Sequence, residues 1–326
     1  MIQDTFGRVH DYLRISLTDA CNLRCSYCMP DESHAFSPSS RLMQSSEIEY
    51  IARLFVDNGV RKIRLTGGEP LVRKDAPKII SSLGELGIEL SITTNGALVH
   101  EMLCEIVQAN IKAINVSLDT LEPGKFMKIT RRDLYHRVKS NIDLLLQHNI
   151  CVKINVVVMK GLNDDEILDF VALTKHKNIE VRFIEFMPFS GNKWTDDKVF
   201  TMHEILMAVA SKYDAVPVAT QPNDTSKRYR IPGHVGSFAV ISTMSEPFCD
   251  TCNRMRLTAD GKLKNCLFSP GETDLLGPLR QGREILPLIQ ETIIAKAKAL
   301  GGQFGGLFQD IDAATLKNRS MIKIGG

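Results

Sequence analysis

Six β-rich runs alternate with helical segments over the first 190 or so residues, and this alternation constrains the fold more than any other feature of the 326-residue chain. The runs are YLRISLT from Tyr12, KIRLTGG from Lys62, LSITTNG from Leu90, AINVSLD from Ala113, KINVVVM from Lys153 and VRFIEF from Val181. Between them, SSEIEYIARLFVD, DAPKIISSLGEL, ALVHEMLCEIVQA, LYHRVKSNIDLLLQ and DDEILDFVALTKH place apolar residues at helical spacing, which predicts repeated βα units and a parallel sheet. Six units fall short of the eight in a closed barrel. The expected architecture is α/β, a partial, open (βα)6 TIM-like barrel, with a doubly wound sheet as the alternative.

Strands covered by helices are ordinarily apolar on both faces, yet here one parity stays polar. Arg14, Ser16 and Thr18 share it with Lys62, Arg64 and Thr66, with Ser91, Thr93 and Asn95, with Asn115, Ser117 and Asp119, and with Lys153 and Asn155. The other parity reads Leu13, Ile15, Leu17, Ile63, Leu65, Ile92, Ile114, Val116 and Ile154. The polar parity is expected to line an interior chamber into which Arg14, Lys62, Arg64 and Lys153 project. Buried cations need anionic partners, and a polyphosphate would serve. With 40 basic and 38 acidic residues the net charge is only +2, so no global field argues for nucleic acid.

The eight cysteines are too sparse for a disulfide scaffold, but six form two groups. Cys21, Cys25 and Cys28 have C-x3-C-x2-C spacing just after the first strand; Cys249 and Cys252 form C-x2-C, with Cys266 following across a hairpin expected at Asp260-Gly261. An isolated C-x2-C reads as a zinc knuckle or a redox pair. Two triplets read differently, because structural zinc takes four ligands whereas a [4Fe-4S] cluster on three thiolates keeps one iron open. His34 is a weak fourth-ligand candidate, and Cys104 and Cys151 are expected to be small buried apolar residues. The triplet at Cys21, Gly67-Gly68-Glu69-Pro70, Asn95-Gly96 and Met187-Pro188 all fall at strand ends, where chemistry collects in such barrels.

After about residue 198 the βα rhythm stops. A helical run (HEILMAVASKY), a polar loop, a strand (FAVIS), the second cysteine group and a long helix (GREILPLIQETIIAKAKAL) predict a smaller C-terminal α+β domain, 199–326, set beside a barrel of 1–198. This domain is expected to bring the second cysteine group against the barrel mouth. No apolar stretch is long enough to span a membrane, and Met1–Ser16 lacks the sections of a secretory signal, so the expected setting is cytoplasmic.

The CNLRCSYCMP motif with GGEP resembles the radical S-adenosylmethionine (SAM) enzymes. Together with KIRLTGGEPLVR, TTNG, INVSLDTL, RFIEFMPF, FCDTCNRMRLTADGKLKNCLF and a terminal Gly-Gly, it resembles the GTP 3′,8-cyclase family of molybdenum cofactor biosynthesis nearly end to end. That resemblance implies a lyase that cyclises GTP to (8S)-3′,8-cyclo-7,8-dihydroguanosine 5′-triphosphate through a 5′-deoxyadenosyl radical, with no protein acid or base in the chemical step. It implies a SAM-binding [4Fe-4S] cluster on Cys21, Cys25 and Cys28 and a second on Cys249, Cys252 and Cys266 that contacts the guanine. Tyr27, Gly68, Ser117 and Met187 match SAM-contacting positions. Arg14, Arg64, Thr93, Lys153, Arg254, Met255 and Arg256 match GTP-contacting positions, and Gly325-Gly326 matches a tail that enters the active site. The family further implies a homodimer, a reductase as electron donor and a downstream cyclic pyranopterin monophosphate synthase. The sequence departs from the family pattern at Asn223–Lys227 and Gly236–Val240. Rival readings are a peptide-modifying radical SAM enzyme, which would not need the cationic chamber, and a non-catalytic zinc protein, which would not need three-thiolate groups.

Overall fold

The computed structural model describes residues 1–30, 35–219, 221–304 and 307–325; His34 and Gly326 lie outside them. The six expected strands are present as β1 (Tyr12–Ser16), β2 (Lys62–Thr66), β3 (Glu89–Thr94), β4 (Ala113–Ser117), β5 (Cys151–Val158) and β6 (Ile179–Glu185). Helices α1 (Ser45–Asp57), α2 (Ala76–Gly84), α3 (Leu103–Gln108), α4 (Pro123–Thr130), α5 (Tyr135–Gln147) and α6 (Ile167–Leu173) connect them. Helix α1 starts at a reciprocal cap between Gln44 and Glu47, and α7 (Met202–Ala210) at one between Thr201 and Glu204, each satisfying backbone donors that a helix start leaves open.

Later residues extend the sheet at both edges. Strands β7 (Val216–Pro217), β8 (Lys227–Arg230), β9 (Ser237–Ile241), β10 (Arg254–Leu257), β11 (Lys262–Lys264) and β12 (Thr273–Asp274) complete a twelve-stranded order β12-β11-β10-β1-β2-β3-β4-β5-β6-β9-β8-β7 among the described residues. From β10 through β1–β6 to β9 every neighbouring pair is parallel. The sheet is thus an open barrel whose missing flank comes from the C-terminal part. The expected hairpin is there: β10 pairs antiparallel with β11, and Gly261 at the turn has φ +71°, a left-handed conformation that favours glycine.

Parity decides the two faces. Leu13, Ile15, Leu17, Ile63, Leu65, Ile92, Ile114, Val116 and Ile154 are at most 1% exposed and pack with Ile48, Ile51, Phe55, Ile79, Ile80 and Leu83 of the covering helices. Each such side chain contributes roughly 1.5–3 kcal/mol when removed from water. A second apolar cluster, including Met159, Phe186, Phe189, Trp194, Met244, Phe268 and Ile324, covers the strand ends and receives the C-terminal helix α10 (Met321–Ile324).

Two local expectations change. After a separate α8 (Leu276–Arg280), the long helix expected over 282–300 is shortened to α9 (Leu286–Ile294), because Pro287 sets a fresh helix start. Cys104 and Cys151 are exposed, not buried. Cys151 has the chamber parity but is the first residue of β5, where the burial pattern begins with an exposed position.

Candidate functional site

One cavity of about 290 Å³ occupies the polar side of the sheet, at the lower end of the roughly 300–1,000 Å³ typical of small-molecule pockets. Its wall contains all six grouped cysteines. The register places the triplets at opposite ends. Cys21, Cys25 and Cys28 follow the C-terminal end of β1, whereas Cys249 and Cys252 immediately precede β10, whose first residue, Arg254, is level with Tyr12 at the start of β1. β11 runs back beside β10, with Lys264 level with Arg256, and so delivers Cys266 to the same lower end. The second group closes the bottom of the chamber, not the mouth expected from the sequence. The reason is topological: the segment from β9 to β10 crosses the open seam from the top of one parallel strand to the foot of the next.

Burial pushes the Cys21 thiol up to about 11, with Glu69 adding to the effect, and raises Cys25 and Cys28 well above the ordinary thiol range, each further raised by its cysteine neighbours. Three thiolates in such a pocket require a positive partner, as an iron cluster provides. Donors already face Cys21, whose sulfur accepts from Leu23 N at 3.4 Å and Asn95 Nδ2 at 3.8 Å. In the lower group burial also raises Cys252, but Arg254 and Lys296 outweigh it and bring the thiol down to about 6. Arg254 Nη2 stands 3.3 Å from that sulfur, and Leu300 N stands 3.4 Å from Cys249 Sγ. Among the described residues no three potential ligands are drawn together around a single ion. A cluster spreads its ligands over the corners of a cube.

Beside the upper triplet, Tyr27 donates its hydroxyl to Asp119 Oδ2 at 2.7 Å, and Asp119 Oδ1 accepts from Val157 N at 2.9 Å. Burial raises Asp119 to about 6 in spite of those bonds. Glu69 of the GGEP motif is fully buried; its carboxylate accepts from Leu71 N, Thr94 Oγ1 and Asn95 N, tying β3 to the turn after β2. A Cβ at Gly67 would stand 2.7 Å from the Thr18 carbonyl, and one at Gly68 2.6 Å from that of Asp19. These glycines therefore let the GGEP turn seat against the cysteine loop, while still lining the cavity.

Between the triplets, Arg14, Arg64, Thr93, Arg254 and Arg256 line the wall, as do Tyr27, Gly68, Ser117 and Met187 nearer the top. Among the described residues none of these four arginines is ion-paired to a carboxylate. Burial pulls Arg64 down to about 10, and burial with the like charges of Arg14 and Arg254 pulls Arg256 well below the usual range. Arg14 Nε, Asn115 Oδ1 and Asn155 Oδ1 are buried without a hydrogen-bond partner. Such groups cost about 1–3 kcal/mol each unless a ligand satisfies them.

Three sequence-derived residues stand elsewhere. Lys62 pairs with Glu89, and Lys153 lies against Glu180 and Arg182; neither is on the cavity wall. Met255 has the opposite parity to Arg254 and Arg256, and its fully buried side chain packs into the core with Leu13. Arg182, which the sequence reading passed over, is on the wall, 2.5 Å from Glu180. Its place in V-R-F-I-E shows the same alternation as β1. Thr225, in the departing 223–227 loop, also reaches the cavity.

The C-terminal tail enters from above. Ile324 is buried, Met321 and Ile322 line the cavity, and Gly325 adopts φ +76° with its carbonyl accepting from Arg256 Nη1.

The Radical SAM superfamily model matches residues 15–174, and that of Molybdenum Cofactor Synthesis C matches residues 179–301. The chain is 47% identical over 330 residues to the mitochondrial GTP 3′,8-cyclase of Arabidopsis thaliana, covering 100% of this chain and 84% of the relative. It is 40% identical over 300 residues to GTP 3′,8-cyclase of Listeria welshimeri, covering 90% of each. It is 45% identical over 330 residues to molybdenum cofactor biosynthesis protein 1 of Homo sapiens, covering 99% of this chain but 51% of that one. The chain thus spans about half the length of the human relative and most of the plant and bacterial ones. Among solved structures, Streptococcus suis SuiB bound to S-adenosylmethionine superposes with a TM-score of 0.63 at 15% identity, over 89% of this chain and 69% of that one, a likeness of fold.

Proposed function

Because this chain belongs to the GTP 3′,8-cyclase family of radical SAM enzymes, we propose that its chamber holds SAM at the upper triplet and GTP beneath it, and forms the ribose C3′ to guanine C8 bond that begins molybdenum cofactor biosynthesis. One observation carries this reading: two cysteine triplets stand at opposite ends of a single cavity whose middle is lined by arginines without carboxylate partners. Arg14, Arg64 and Arg256 supply the planar donors that a triphosphate accepts. At the upper triplet the Arg24 guanidinium donates to the carbonyls of Cys21 and Leu23 within the cysteine loop.

When bound and reduced, a [4Fe-4S] cluster on Cys21, Cys25 and Cys28 would supply the electron that cleaves the C5′ to sulfur bond of SAM, leaving the carbon radical that takes hydrogen from C3′. The chain's own contribution is to orient and to exclude water. Tyr27, held by Asp119, Gly68, Ser117 and Met187 would confine SAM against the upper triplet. Arg14, Arg64, Thr93, Arg254 and Arg256 would fix the nucleotide between the two ends, so that C3′ faces the radical and C8 faces C3′. The second triplet, Cys249, Cys252 and Cys266, would hold another [4Fe-4S] cluster at the guanine; the low Cys252 thiol and the sulfur-facing donors support it. The tail residues Gly325 and Gly326 would close the chamber, supported by the Arg256 contact to Gly325.

We assign the radical SAM portion to 1–198 and the auxiliary-cluster portion to 199–326, on the position of β6 and of the second triplet. A homodimer, a reductase and a downstream cyclic pyranopterin monophosphate synthase belong to the same reading, from the family alone. No helix among the described residues is long and apolar enough to cross a membrane.

The test is anaerobic reconstitution with SAM, dithionite and GTP. The hydrogen lost from C3′ leaves in 5′-deoxyadenosine, and a further electron and proton complete the product, so the product has the mass of GTP. A new species of that mass should accumulate in step with 5′-deoxyadenosine; deoxyadenosine formed while GTP is left intact would overturn the assignment.

A further inference from the structure

Below the chamber, outside its wall, the fold buries four charged or titratable groups that this chemistry does not use: Asp4, Arg8, His10 and Lys296, at 6%, 9%, 1% and 4% exposure. Asp4, Arg8 and His10, from one N-terminal segment, meet Lys296 from near the other end of the chain, and Arg8 and Lys296 reach Cys249 and Cys252 of the second triplet. Arg8 Nη1 donates to the carbonyls of Cys249 and Lys298, both at 2.8 Å, and Nη2 to that of Ala297 at 3.0 Å. Its Nε pairs with Asp4 Oδ2 at 2.5 Å. The same Asp4 oxygen lies 3.1 Å from His10 Nε2, and His10 Nδ1 lies 3.5 Å from Lys296 Nζ.

A lysine ammonium has donors only, so Nδ1 must present its lone pair and Nε2 must carry the proton that Asp4 accepts. His10 is thereby fixed as a neutral ring between carboxylate and ammonium. Lys296 Nζ then donates to the Arg254 carbonyl at 3.0 Å and stands 3.5 Å from Cys252 Sγ. Among the described residues no carboxylate pairs with Lys296. A buried ammonium needs a counter-charge, and the Cys252 thiolate is the one beside it.

We infer that Lys296, held in place by Asp4 and His10, is a positioning residue for the second cluster, its ammonium donating to the Cys252 sulfur and raising the cluster's reduction potential. This rests on the two-cluster reading. Reduction adds negative charge, which a fixed cation and an N–H···S bond stabilise, so removing Lys296 favours the oxidised cluster.

The experiment is an anaerobic potentiometric titration, followed by electron paramagnetic resonance, of the full chain carrying C21A, C25A and C28A, so that only the second cluster is present. That chain should bind roughly four irons; binding none would overturn the two-cluster reading itself. Adding K296M should shift the reduction equilibrium about tenfold toward the oxidised form, a fall of about 59 mV for one electron. K296R should match the parent, and H10N should fall between. An unchanged midpoint in a fully loaded K296M chain would overturn the inference. Should K296M not retain iron, K296Q, which keeps an N–H donor without the charge, carries the same prediction. Iron loss in both, with K296R loaded and at the parent potential, would support the role; iron loss in all three would overturn it.

Discussion

The Arg256 guanidinium donates from Nη1 to the carbonyl of Gly325, so a β10 side chain grips the C-terminal tail inside the chamber. Gly325 is packed there as well: a Cβ would stand 2.5 Å from Thr66 Oγ1 and 3.0 Å from Ser16 Cβ, at a backbone angle that disfavours L side chains. Arg256→Ala should therefore leave SAM cleavage measurable while uncoupling it from cyclisation. The check is cyclic product per 5′-deoxyadenosine, and an unaltered ratio would contradict this role. Gly325→Val should produce a similar loss, because its side chain has no space between β1 and β2.

Met255 separates family position from side-chain contact. Met255→Leu is close to volume-conserving in a core site, so stability should fall by less than about 1.5 kcal/mol and the KM for GTP should move by no more than about twofold. Arg182→Ala removes a cation from the cavity wall and should raise that KM by about tenfold, the scale of one charged hydrogen bond. Steady-state kinetics on the two variants decide the matter, and the reverse ranking would place the GTP contacts on the wrong parity.

This contrast also measures what the sequence could tell. Period-two alternation made the chamber legible, since Arg14, Arg64 and Thr93 follow from parity alone. The same rule applied to β10 turns Met255 away, which RMR taken as a block conceals, and applied to β6, beyond the strands whose parity was followed, it finds Arg182. The position of the second triplet was not legible, because it depends on which strands flank the seam between β9 and β10, a pairing across the sheet that local pattern does not encode. Nor was the use of Arg8 and His10, whose partners Cys249, Lys298 and Lys296 lie hundreds of residues away. Lys62 and Lys153 have the right parity, but Lys62 pairs with Glu89 and neither side chain reaches the cavity wall.

Tyr27 and Asp119 form a buried pair beside the upper triplet. Tyr27→Phe leaves Asp119 Oδ2 without its donor, which should cost about 1–3 kcal/mol of stability and weaken SAM binding. Denaturation midpoints and SAM affinity of the reconstituted protein test this; wild-type values for both would remove the pair from the site.

His10 sets an acid limit. Burial, with the charge of Lys296, depresses its pKa to about 4 from an ordinary value near 6.5, so the unfolded chain binds the proton more readily than the folded one. The stability this neutral ring contributes is complete above about pH 6.5 and is lost as pH falls toward 4, by about 3 kcal/mol in all. The stability difference between wild type and His10→Asn should change across that window and level off above it. A difference independent of pH between 4 and 7 would show that His10 does not titrate as a buried neutral ring.

The central claim is that the chamber aims a SAM-derived radical at the ribose of GTP. Its most direct test is anaerobic turnover with GTP deuterated at C3′, reading deuterium in 5′-deoxyadenosine by mass spectrometry. The account predicts that the label appears there. Deoxyadenosine formed in the presence of the labelled GTP but carrying no deuterium would contradict it.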